Sequence, residues 1–252
     1  MSLKGKIALV TGASRGIGRS AAEALAADGA RIWVHYHRDR KAAEATLAAL
    51  PGGPHDLIQA DLADGEALAR MAGAVTGGGK RVDVLVNNAG LFEEHPLLAL
   101  DFDGWRSAWE RTLALNLMGP ALLSHLIGRA MAAGGGGRII NVSSRGAFRG
   151  EPNAPAYGAS KAGLTALGQS LAVHLAPHKV FVFTIAPGWV ATDMAEPTLS
   201  SPAGEAVRAQ SPLERVASPE EIAEAIRWLA ADAPEYMTGC ILDANGASYL
   251  RT

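Results

Sequence analysis

Short apolar runs alternate with longer stretches of helical period along almost the whole chain. Ile7–Val10, Arg31–Tyr36, Leu57–Ala60, Val82–Val86, Arg138–Val142, Val180–Ile185 and Cys240–Asp243 read as strands. Between them, Arg19–Asp28, Lys41–Leu50, Gly65–Val75 and Phe102–Met131 carry helical patterns, the last with a break near Gly119-Pro120. A further helix opens at Pro155, repeats Leu164, Leu167, Leu171 and Leu175 on one face, and stops near Pro177. Ser218-Pro219-Glu220-Glu221 is a capping box with proline in the first helical position, so a helix follows to Ala230. Glycine and proline clusters fall at the exits of these elements and mark turns. Strands alternating with helices predict right-handed βαβ units and one parallel, doubly wound α/β domain over residues 1–252. Thr192–Pro212 breaks the pattern: a long segment rich in Pro, Ser and Ala, expected to form a partly helical lid.

Two stretches carry chemistry. Thr11–Gly18, TGASRGIG, lies between the first strand and the first helix. Glycines there let the backbone turn tightly and approach a pyrophosphate, which would rest on the helix N-terminus. The spacing G-x-x-x-G-x-G is weak alone and gains weight from its place between strand and helix; the competing reading is a structural turn. In the second stretch, Tyr157 and Lys161 sit four residues apart and share a helix face. A tyrosine has an ordinary pKa of about 10, and an adjacent ammonium lowers it, giving an acid–base group usable near neutrality. Ser144 follows the Arg138–Val142 strand, at the sheet's carboxyl edge, where ligands bind in such sheets.

Composition narrows the classes. The chain has 252 residues, 48% of them hydrophobic, and a formal net charge of -2, which argues against a nucleic-acid binder. The single Cys240 excludes an internal disulfide, fits a reducing compartment and reads as a small core residue. His35 and His37 alternate on one strand without companions, so no metal is expected. Neither a signal peptide nor an apolar run long enough to cross a bilayer is read, so the expected location is cytoplasmic.

Taken together, TGASRGIG, NNAG at Asn87–Gly90, the series Asn116, Ser144, Tyr157 and Lys161, and PGWVATDM at Pro187–Met194 resemble the short-chain dehydrogenase/reductase family over essentially the whole chain. The resemblance implies a Rossmann-like domain with a seven-stranded parallel sheet and helices on both faces, in a homotetramer or homodimer. It implies an oxidoreductase that interconverts a carbonyl and a secondary alcohol with a nicotinamide cofactor. Tyr157 would donate the proton, Ser144 would hydrogen-bond the reacting oxygen, and Lys161 would hold the ribose and depress the Tyr157 pKa. Asn116 would anchor a relay water. Family spacing favours Ser144 over Ser143. The cofactor would contact Gly12, Ser14, Arg15, Gly16, Ile17 and Gly18, then Asp61, Leu62, Asn88, Ala89 and Gly90. Pro187, Gly188, Val190 and Thr192 would face the nicotinamide. Asn87 reads as a hydrogen-bond bracket at a strand end.

Coenzyme choice turns on the end of the second strand. Tyr36 stands where NAD-preferring relatives carry an acid, and His37, Arg38 and Arg40 follow, with Arg15 nearby. NADP(H) is therefore preferred, with Arg38 and Arg15 as readers of the 2′-phosphate; Asp39 as a ribose acid, and NAD(H), form the alternative. The substrate wall is expected from Arg145, Phe148, Trp189 and Met194 with Leu91 and Phe92, suggesting a free, medium-sized, largely apolar ketone or diketone. Arg145 would either meet a polar substituent or be a solvated loop residue. The nearest pattern is that of 3-oxoacyl-[acyl-carrier-protein] reductases, but Arg129–Gly134 carries one cation and Leu171–Leu175 none, little to dock an acidic carrier. Two other classes compete: a nucleotide-sugar dehydratase or epimerase, usually longer, and a non-catalytic NADP(H) sensor.

Overall fold

The computed structural model describes residues 3–251. Seven strands form one parallel sheet in the order β3-β2-β1-β4-β5-β6-β7: β1 Ile7–Val10, β2 Arg31–Tyr36, β3 Asp56–Gln59, β4 Val84–Asn87, β5 Gly137–Val142, β6 Val180–Pro187 and β7 Ile241–Ala244. The helices are α1 Gly16–Ala27, α2 Arg40–Ala49, α3 Gly65–Thr76, α4 Phe102–Leu113, α5 Gly119–Ala133, α6 Gly146–Arg149, α7 Pro155–Leu175, α8 Glu196–Leu199, α9 Gly204–Arg208 and α10 Pro219–Ala231. The expected doubly wound architecture is present, with strand ends displaced by a residue or two.

The strand pleat divides the core into two layers. Val10, Val86, Ile140 and Phe183 face the side covered by α1 and α10, where Leu25, Ile226 and Leu229 meet them. Their strand neighbours Leu9, Leu85, Ile139 and Val182 face the other side, against Leu68 of α3, Leu123 and Ile127 of α5 and Leu175 of α7. Burial on both faces is why the strands read as continuous apolar runs. β2 lies inside the sheet, so His35 is buried and not on an edge strand. Cys240 is half-buried against the first layer, and burial raises its thiol pKa, as suits a packing residue.

The expected break in the long fourth helix occurs one turn early. A π-helical turn at Ala114–Met118 joins α4 to α5. Pro120 has no N–H to close the α pattern on Asn116, and the ladder loosens there. At α10 the capping box forms as read: Glu221 N–H donates to Ser218 Oγ at 3.3 Å, and Ser218 N–H to Glu221 Oε2 at 2.9 Å. The segment 192–212 is partly helical, through α8 and α9. Its Ala195, Leu199 and Val207 form a small apolar cluster with Trp189 and Val216.

Gly18 lets the first turn of α1 rest on the loop before it. A Cβ there would overlap the Gly12 carbonyl oxygen and approach Asn88 Nδ2 to 2.5 Å. Gly18→Ala should therefore destabilise the protein by about 1–3 kcal/mol. Gly73→Ala, in open space inside α3, should be neutral or stabilise by up to about 1 kcal/mol. Urea unfolding of the two variants checks this, and equal midpoints would contradict it.

Candidate active site

The order of strands reverses between β1 and β4, and a cleft of about 720 Å³ opens above their carboxyl ends. Ligands bind at this switch point in open α/β sheets. The loop after β1 is held by several bonds. Thr11 Oγ1 donates to Val86 O and accepts from the N–H groups of Asn88 and Ala89 at 2.9 and 3.0 Å. Asn88 Nδ2 donates back to the carbonyls of Thr11 and Gly12. Gly12 N–H donates to Nδ1 of His35 at 3.0 Å, and the other ring nitrogen meets Ala60 O at 3.2 Å. Since Nδ1 accepts, the ring is neutral and Nε2 carries the proton.

This loop delivers an open helix end to the cleft. No side chain caps α1, and its first turn carries no acid. Gly16 has φ +53, and a Cβ there would press on Thr192 at 3.2 Å. Free N–H groups, a helix dipole and a bare backbone suit a pyrophosphate. Ser14, Arg15, Gly16 and Ile17 line this part of the cleft with His37, Arg38, Asp61 and Leu62. Asp39 also lines it, but its carboxylate caps α2 by accepting from Ala42 N–H at 2.9 Å. Arg15 lies 3.8 Å from Asp193 across the cleft, and His37 lies 3.4 Å from Asp61. Ala89 and Gly90 form one wall, and Pro187, Gly188, Val190 and Thr192 the other. The residues present fit a dinucleotide. Gly18 does not line the cleft; its place is in packing against Gly12.

The reactive groups stand at the far end. α7 begins at Pro155, and the buried His95 secures that beginning by accepting Ala156 N–H at 3.1 Å. Lys161 is buried and donates to Val142 O, the last residue of β5, at 2.8 Å. Ser143 Oγ bonds Lys161 O and Thr165 Oγ1, which commits it to α7. Ser144 Oγ instead accepts Gly146 N–H at 3.0 Å, and the side chain lines the cleft with Tyr157, whose pKa it acts to lower. Phe92 meets the Tyr157 ring edge-on at 5.1 Å. Asn116 lies beneath, fully buried. Its Oδ1 accepts Leu91 N–H at 2.7 Å, and its Nδ2 donates to Leu91 O and Ser160 Oγ. Both amide hydrogens are thus occupied, so a relay water would have to use an oxygen of Asn116. Asn87 brackets the strand ends as expected, donating to Ser124 Oγ and Asn141 Oδ1.

Three expectations need correction. Lys161 does not lower the Tyr157 pKa here. Its ammonium is 5.8 Å from the ring centroid and tied to Val142 O, while burial pushes the phenol up to about 12 against the lowering effect of Ser144. Burial likewise lowers Lys161 to about 8. Phe148 is absent from the cleft wall: the short α6 turns it toward the C-terminal segment, where the Arg251 guanidinium covers its ring at 4.6 Å. Arg145 is not solvated: it is 5% exposed and forms part of the wall with Trp189 and Met194. Glu151, half-buried beside Tyr157 and raised in pKa by burial, is a wall residue that no motif marks. His35 and His95 also escaped sequence reasoning, because only the fold shows which backbone groups they meet.

Comparison with known proteins agrees with this geometry. The family described as enoyl-(acyl carrier protein) reductase matches residues 12–246. A 3-oxoacyl-[acyl-carrier-protein] reductase of Synechocystis is 37% identical, with 97% of each chain covered. D-threitol dehydrogenase of Mycolicibacterium smegmatis is 38% identical over 97% of this chain and 93% of its own. The crystal structure of a candidate NAD(P)-dependent gluconate 5-dehydrogenase from Beutenbergia cavernae, with NADP bound, superposes with a TM-score of 0.89 at 36% identity, covering 98% of both chains. The chain belongs to the short-chain dehydrogenase/reductase family, and it is an oxidoreductase acting between carbonyl and alcohol.

Burial holds His35 at about 4, below its ordinary 6.5, so the fold selects the neutral ring. Its contribution is complete above about pH 6.5 and is lost as pH falls toward about 4, with a ceiling of about 3 kcal/mol. His35→Asn cannot titrate; it should start less stable yet lose less melting temperature between about pH 7 and about pH 5. Equal losses in both proteins would remove His35 as the cause.

Proposed function

We propose that this protein is an NADP(H)-dependent reductase of a free, small carbonyl compound, working reversibly on the corresponding secondary alcohol. The observation that carries the proposal is the convergence of Ser144, Tyr157 and Lys161 on the inner end of a cleft whose outer end is an uncapped helix N-terminus. Bound NADPH would supply the hydride to the carbonyl carbon. Tyr157, protonated at neutral pH, gives its proton to the carbonyl oxygen while Ser144 donates a second hydrogen bond to it. Lys161 keeps a positive charge behind the tyrosine below about pH 8. The resulting alkoxide never forms free.

The 2′-phosphate would meet Arg38 and Arg15, both exposed at the outer end, while Asp39 is engaged on α2. A carrier-bound substrate is the second reading, favoured by the Synechocystis relative. Against it, the end of α7 presents Val173, 81% exposed, in place of a cation. The gluconate and threitol enzymes support compact polar substrates instead. Self-association through α4 and α5 is supported by the exposed Leu98, Phe102, Met118 and Leu122 on and around these helices, apolar side chains that a homodimer or homotetramer would cover. The lid would be 192–212, and the single cysteine suits the cytoplasm.

Carbonyl-dependent NADPH oxidation by purified protein tests the reading. Tyr157→Phe should bind NADPH normally and lose about a hundred- to ten-thousand-fold in turnover; wild-type turnover in this variant would refute the assignment. A second check concerns the coenzyme. Wild-type kcat/KM should favour NADPH over NADH, and Arg38→Ala should shrink that preference by roughly tenfold or more. Comparable values for both coenzymes in the wild type would overturn it.

A further inference from the structure

The geometry points to Arg145, with Arg149, as the reader of a carboxylate on the substrate, a role that rests on the reductase reading above. Arg145 directly follows Ser144, and its N–H is fixed to Pro187 O at 2.9 Å. Its side chain is buried in the wall of the cleft, and its Nη1 is buried with no hydrogen-bond partner. Its Nη2 donates to Gln210 Oε1, and Arg149 Nη1 reaches the same oxygen at 3.4 Å. Two guanidinium groups thus converge on one neutral amide oxygen. Among the described residues Arg145 forms no ion pair, and Glu151 acts on it only through space. Burial first, and then the charge of Arg149, hold the Arg145 pKa below its ordinary value.

A buried guanidinium with one arm unsatisfied is costly, and a planar anion relieves that cost by filling both arms. Gln210 belongs to the segment 192–212 and occupies the position such an anion would take. A carboxylate suits the place better than a phosphate, because the half-buried Glu151 opposes a second negative charge. Ser144 and Arg145 line the same cleft, so the anion and the reacting carbonyl would belong to one molecule. The substrate is then a compact keto acid, or the matching hydroxy acid, in place of an apolar ketone.

The test uses the intact enzyme and NADPH with a series of short keto acids, each against its own methyl ester, plus a keto phosphate and neutral ketones. Wild-type kcat/KM should favour at least one acid over its ester by roughly a hundredfold. In Arg145→Met that ratio should collapse toward unity, mainly through KM. Gln210→Ala, which removes the competing oxygen, should lower KM for the acid and leave the ester's unmoved; it carries the test should Arg145→Met fail to fold. Reduction of esters or neutral ketones as well as acids overturns the proposal while sparing the reductase reading. Preference for the keto phosphate overturns the choice of carboxylate. Failure to oxidise NADPH with any carbonyl sinks both.

Discussion

The bond from the buried Lys161 ammonium to the carbonyl of Val142 is the contact on which the reactive half of the molecule depends. It ties the middle of α7 to the carboxyl end of β5. A lysine in apolar surroundings needs such an acceptor, since an unpaired buried charge is severely unfavourable. With Lys161 fixed, Tyr157 is fixed one turn before it, and Ser144 is fixed two residues after the accepting carbonyl. Ser143 adds a second clamp between the same elements. The site therefore takes its geometry from the sheet and a long helix, with loops filling in the substrate wall.

The other half follows from a different constraint. The loop after β1 has to turn tightly and still present free N–H groups, and it achieves this by leaning on its neighbours. Thr11, Asn88 and His35 hold it from two adjacent strands. The groups that hold the loop are engaged with one another, while the end of α1 stays open as a donor set. Rigid surroundings around an unsatisfied helix end are what an anionic ligand requires.

Much of this was legible in the sequence. Apolar runs, capping residues and glycine positions obey local rules, so the sheet, α7 and the capped α10 could be read directly. Tyr157 and Lys161 were legible as a pair because residues four apart on one helix share a face, whereas Asn116 and Ser144, on other elements, were reached through the family resemblance. What stayed hidden depended on long-range packing. Nothing in Arg145-Gly146-Ala147-Phe148 says that the arginine turns inward and the phenylalanine outward; α6 decides that. The position of the break at Ala114–Met118 was nearly legible, since Pro120 announces it, yet the strain is relieved a turn earlier. The Tyr157 pKa was misjudged because spacing shows that a cation is near and does not show how little water is.

The small apolar cluster of Ala195, Leu199 and Val207 has an evolutionary side. Because this segment packs largely on itself, with Trp189 and Val216, its sequence can drift without disturbing the two layers that hold the sheet. Substitutions that reshape the mouth of the cleft are thus insulated from those that would unseat Tyr157 or Lys161. A scaffold divided in this way can acquire new substrates by accumulating changes in one short stretch, while the pairing of α7 with β5 is inherited intact.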